Sequence, residues 1–225
     1  MTRRDLLRTA YGDLIQIVHG LSDAESWLPT GCLGWTVRDL VQHHLLDGQR
    51  ALVALGTPAP PPADTDAVSY WSAWQPGTPQ ADAQRRAVRA LSGVWSSVEA
   101  LADTYVETLS AVLQLAGRAA PEDLVSTQGH TLTVDDLTST LVVEAAVHHL
   151  DLVAGGRSGW GLDRPGPRPG PLREVRLVLD GLLGTTATTD WDDRRWALIG
   201  TGRAEPTTAE RGALRDAVLR LPLFG

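Results

Sequence analysis

The sequence predicts a mainly α fold: a four-helix bundle over residues 1–156, a Gly/Pro-rich linker over 157–172 and a small α+β region over 173–225. Three observations lead there. Four stretches carry apolar side chains every three or four residues, the period of a helix with one buried face. Clusters of glycine and proline separate those stretches. Beyond the linker the elements shorten and change character.

The first helix is read over 4–21 from Leu6, Leu7, Ala10, Leu14, Ile15, Val18 and Leu21, with Gly20 near its stop. Ser22 and Glu25 have the spacing of a capping box and start a short helical turn. The second helix starts after Thr36, a suitable N-cap, with Asp39 complementing the positive helix end, and runs to about Leu55. Pro58 to Pro62 interrupts the chain, and an irregular segment over 63–80 holds Tyr70, Trp71 and Trp74. The third helix is expected from about Pro79 to Ala116, kinked at Gly93, and Pro121 to Gly129 is read as a loop. The fourth helix begins near Thr133, with Asp135 and Asp136 in its first turn, and ends at Gly155-Gly156. In the tail, Leu172 to Leu183 is a helix and Trp196 to Gly200 a short strand. Thr207 or Thr208 caps a last helix over 209–219.

Composition narrows the function. The chain has 225 residues, a net charge of −7, and no lysine among its basic residues. An acidic chain without a basic cluster is repelled by phosphate backbones, so no nucleic acid is expected as a partner. No uninterrupted apolar run is long enough for a membrane span, so no membrane partner is expected. The single cysteine, Cys32, allows no internal disulfide. With no signal-peptide pattern, this points to the cytoplasm.

The sharpest local signal is Val142-Val-Glu-Ala-Ala-Val-His-His-Leu-Asp151. Glu144 and His148 stand four apart and share a helix face with Leu137, Leu141 and Leu152. A carboxylate buried there needs a partner, a proton or a metal. A plain Glu–His hydrogen bond is one reading; a metal site between bundle helices is the other. The second signal is Trp35-Thr-Val-Arg-Asp-Leu-Val-Gln-His-His44, which puts histidines in the middle of an apolar helix. Facing Glu144 and His148, one of them makes a two-His, one-carboxylate set that suits Zn, Fe, Mn or Ni. Periodicity alone leaves His43 and His44 both open.

Cys32-Leu-Gly-Trp-Thr-Val-Arg-Asp-Leu-Val-Gln-His43 and Glu144-Ala-Ala-Val-His148-His-Leu-Asp151 resemble the second- and fourth-helix motifs of the mycothiol-dependent maleylpyruvate isomerase family, part of the DinB-like metalloenzymes. Ala197-Leu-Ile-Gly-Thr-Gly-Arg203 and Leu221-Pro-Leu-Phe-Gly are similar to that family's short C-terminal region. The resemblance implies a DinB-like bundle holding a divalent metal, zinc foremost, on His43, Glu144 and His148, the family's ligand histidine lying eight residues after the tryptophan. It implies mycothiol as the thiol cosubstrate and a small electrophile as partner, for S-transfer or isomerisation. It makes His149 a supporting or surface residue. Rival readings are a hydrolase using metal-activated water and a non-catalytic metal or small-ligand binder. Cys32 shows no base at fixed spacing, and Gly200-Thr-Gly-Arg203 lacks the remainder of a phosphate loop. A second cation for an anionic electrophile is expected near the metal. Arg203 is the candidate, ahead of Arg50, Arg85 and Arg86, because its fork matches a carboxylate and the C-terminal region is expected to fold back over the pocket.

Overall fold

The computed structural model describes residues 1–73, 78–153, 161–185 and 191–224. Its four long helices are α1 (Arg3–His19), α3 (Val37–Leu55), α5 (Val98–Arg118) and α6 (Val134–Val153); a one-turn α2 (Asp23–Ser26) and α4 (Pro79–Ser92) lie between them. α1 packs on α5 and α6, and α3 packs on the same two, so the bundle closes as a ring. Leu7, Leu14, Leu40, Leu45, Leu101 and Leu109 fill its centre with almost no exposure. Each such side chain contributes roughly 1.5–3 kcal/mol by leaving water. The mainly α class therefore holds.

The capping signals read from sequence operate. Ser22 and Glu25 form their reciprocal box. Asp39 accepts hydrogen bonds from the Thr36 N–H and hydroxyl, both at 2.9 Å, which fixes the entry to α3.

Four local expectations are corrected. The expected 79–116 helix is two helices, because the chain turns after Gly93 and Ser97 caps α5 anew. The 121–129 loop contains a strand: β1 (Leu124–Thr127) pairs antiparallel with β2 (His130–Thr133), Leu124 opposite Thr133. Gln128 and Gly129 both have positive φ, the two-residue turn whose twist matches a hairpin. The expected strand at 196–200 is helix α8 (Asp193–Gly200), started by Asp192 accepting from the Arg195 N–H. A four-residue apolar run does not by itself distinguish strand from helix. The last helix stops early, α9 (Thr208–Leu214) giving way to a 3₁₀ turn over Arg215–Arg220.

Of the expected linker, residues 157–160 lie outside the described residues, as does Trp74. From Pro169 the chain is already in α7 (Pro169–Leu183). α7 and α8 build a second apolar cluster with Trp71, Leu223 and Phe224. α6 serves both clusters. Val142, Ala145 and Leu152 face the bundle, while Val143, Ala146, Val147 and Leu150 face α7 and α8. A helix covered on both sides is apolar nearly all round, as this one is. Among the described residues no helix is long and apolar enough to cross a membrane.

Candidate metal centre

α3 and α6 meet at their middles and bring His43, Glu144 and His148 together. One ligand atom from each lies within 4.8 Å of the others. His43 Nε2 is 3.1 Å from His148 Nε2, and His148 Nε2 is 3.1 Å from Glu144 Oε2. Four ligands around an ion at zinc bond lengths would stand about 3.3 Å apart. The donor set thus fits a small divalent cation in both type and spacing.

His43 and His44 separate cleanly. His44 is buried on the other side of α3, where its Nδ1 meets the Tyr105 hydroxyl at 2.8 Å and its ring lies edge-on to Tyr11. His43 turns to α6 with its ring against Trp35. Burial and the neighbouring His148 depress its pKa to about 4, so its lone pair is free at neutral pH. Burial opposes charge on Glu144 as well, but the His148 hydrogen bond and the nearby imidazoles outweigh it and keep the carboxyl ionised.

The opposite edge of His148 is built differently. His148 Nδ1 lies 3.0 Å from Asp151 Oδ2. Arg203 grips the same carboxylate bidentately, Nε to Oδ1 at 2.7 Å and Nη2 to Oδ2 at 2.8 Å, and its Nη1 donates to the Thr201 carbonyl at 3.2 Å. The Cys32 thiol donates to Asp151 Oδ2 at 3.1 Å. Asp151 is 2% exposed at its side chain and Arg203 14%. Arg203 reaches this position because α8 ends at Gly200 and Gly202, at positive φ, reverses the chain. The Arg203 N–H then closes on the Leu198 carbonyl at 2.7 Å. Gly200-Thr-Gly is therefore a helix terminus. All three nitrogens of Arg203, expected to meet a substrate carboxylate, are engaged within the protein. Arg50 and Arg85 pair with Asp47 and Asp82 on their own helices.

Sequence reasoning passed over three participants. Asp151 was only the end of a motif, although His-x-x-Asp on a helix places a carboxylate three residues from the ring. Cys32 had no visible partner because Asp151 lies 119 residues away. Asp47, one turn after His43, has Oδ2 3.3 Å from His43 Nε2, yet that buried oxygen has no hydrogen-bond partner. Burial and the charge of Glu144 push the Asp47 carboxyl pKa up. His149, assigned a supporting or surface role, is 3% exposed and bonds the Pro165 carbonyl at 2.9 Å.

Among known families, the model described as mycothiol maleylpyruvate isomerase N-terminal domain aligns with residues 7–153. No curated protein and no solved structure matches significantly. The matched span contains His43, Glu144, His148 and Asp151 and ends before Arg203.

Proposed function

The chain belongs to the mycothiol maleylpyruvate isomerase N-terminal domain family, and on that premise we propose that it is a metal-dependent enzyme using a low-molecular-weight thiol, mycothiol foremost, for S-transfer to, or isomerisation of, a small electrophile. The observation that carries this reading is the convergence of His43 Nε2, His148 Nε2 and Glu144 Oε2 from two helices. His43, Glu144 and His148 would hold the ion, zinc foremost, and three protein ligands leave the exchangeable position that catalysis requires. When bound, such an ion lowers the pKa of a coordinated thiol and supplies thiolate at neutral pH.

The chain's own residues prepare that site. His43 offers a neutral imidazole because burial disfavours its cation. Glu144 brings one negative charge, which offsets part of the ion's charge. Trp35 packs against the His43 ring on the flank of the site, while the Glu144 side chain stays 27% exposed. In the isomerase case, the thiolate sulfur adds to one carbon of an activated double bond, the resulting single bond rotates, and the same thiolate leaves as the double bond re-forms. In the transferase case, the carbon–sulfur bond stays and a leaving group departs with the electron pair. Either reaction belongs in a reducing cytoplasm.

The test is elemental analysis of the purified chain, followed by assays of an activated alkene and an alkyl halide with and without mycothiol. One equivalent of metal and turnover that needs the thiol support the proposal. Thiol-independent hydrolysis would replace it with activated-water chemistry. Bound metal without any turnover would leave a binding protein.

A further inference from the structure

The family match ends at residue 153, yet one edge of the His148 ring is organised by a residue fifty positions beyond it. Asp151 is the junction. Its two oxygens accept from Arg203 Nε and Nη2, from His148 Nδ1 and from Cys32 Sγ, within 2.7–3.1 Å. The carboxylate cannot swing away. The Gly31 N–H bonds the Asp151 carbonyl at 2.8 Å, and a Cβ at Gly31 would stand 2.7 Å from Asp151 Oδ1, so the Thr30–Cys32 loop closes over it. Arg203 is as constrained, by its own bond to the Thr201 carbonyl and by the helix end behind it.

A neutral imidazole carries one proton and one lone pair. When the ring gives up its Nε2 proton to a metal, an acceptor fixed at Nδ1 keeps the remaining proton there and leaves the lone pair at Nε2. We propose that Arg203 and Asp151 are positioning residues of the metal site. The C-terminal region clamps Asp151, Asp151 holds His148 in its Nδ1–H tautomer and ring orientation, and metal affinity of the matched domain depends on a residue outside it. The inference rests on the metal reading above and adds an outer layer to it. It also gives Arg203 a role other than gripping substrate, since the nitrogens a substrate carboxylate would need are taken.

The test measures zinc affinity of the full chain by competition with a chromophoric chelator. Arg203→Met and Asp151→Asn are each expected to weaken zinc about ten- to a hundredfold, with the helical circular dichroism retained. Arg203→Lys should recover part of the loss. Each single change leaves a buried charge unpaired, so the double variant Asp151→Leu/Arg203→Met, which replaces the pair by apolar side chains, guards against a folding defect. It should bind zinc as weakly as the single variants. In histidine-¹⁵N-labelled, zinc-loaded protein, His148 should show a water-protected Nδ1–H signal that Asp151→Leu/Arg203→Met loses. A purely structural ion pair would leave that signal and the affinity unchanged in the folded double variant, and that result would overturn the inference. A wild-type chain that takes up no zinc would overturn the metal reading, and this inference with it.

Discussion

The two edges of the His148 ring differ in how completely their polar groups are paired. At Nδ1, Asp151 is saturated by Arg203, Cys32 and the imidazole, and is buried. At Nε2, a second ring nitrogen and a carboxylate each stand 3.1 Å away, and one Asp47 oxygen close by has no hydrogen-bond partner. A folded chain normally satisfies its buried polar groups. On the proposed reading, the second side is where a metal ion would bring its charge. The saturated edge supplies rigidity, and the crowded edge supplies the donors.

Four changes break or sharpen this contrast. The largest effect belongs to His148→Ala, which removes the residue common to both edges. Zinc affinity should fall by at least about a hundredfold, while the helices persist, since their stability comes from apolar packing. Unchanged metal content in the purified variant would refute the assignment. Gly31→Ala tests the rigid edge by pushing a methyl against Asp151, and should cost about 1–3 kcal/mol in denaturant unfolding. A neutral result would mean that the loop yields and Asp151 is not clamped.

Acid separates the edges next. Burial opposes the Asp151 charge, but Arg203 outweighs it and holds the carboxyl below its ordinary range. The unfolded chain takes up a proton near pH 3.9, roughly the free carboxyl value, while the folded chain does not. Stability from this group is thus fully present above about pH 4 and declines as pH falls toward the depressed folded value, by up to about 1.4 kcal/mol per pH unit. Asp151→Leu/Arg203→Met should flatten that limb of a pH–stability curve measured without metal. The smallest effect is expected at the crowded edge: Asp47→Asn keeps the shape, removes the cost of holding this carboxyl protonated against its raised pKa of about 8, and should stabilise the metal-free chain at neutral pH by about 1 kcal/mol. A lower melting temperature would show that the pairing of Asp47 with Arg50 outweighs that cost.

Much of this was legible in the chain because it is local. Apolar periodicity marks α1, α3 and α6, and Thr36 with Asp39 marks where α3 begins. Glu144 and His148 share a face through helix geometry alone. What escaped is long-range or rests on weak local signals. The contacts of Cys32 and Arg203 with Asp151 need the tertiary fold. Trp196 to Gly200 is too short and too apolar to declare its period, although Asp192 ahead of it is a helix cap. The hairpin turns on Gln128-Gly129 rather than the stronger Asn-Gly signal. His149 declares no partner in the sequence, because the Pro165 carbonyl that it bonds lies beyond α6 in the segment leading to α7.

The same pair of helices is fastened at both ends. At one end Gly31 is bonded to the Asp151 backbone; at the other, the chain leaving α3 adds itself to the hairpin that leads into α6, with the Ala59 N–H on the Leu124 carbonyl and the Asp64 N–H on that of Thr131, both at 2.9 Å. α3 and α6 run antiparallel between these two fastenings, so neither can slide along the other without breaking one of them. A slip of a single turn, about 5.4 Å, would carry His43 beyond reach of His148. The small β-hairpin therefore works as a ruler: it sets how far along α6 the end of α3 sits, and with it whether two imidazoles 87° apart in ring plane can address one point.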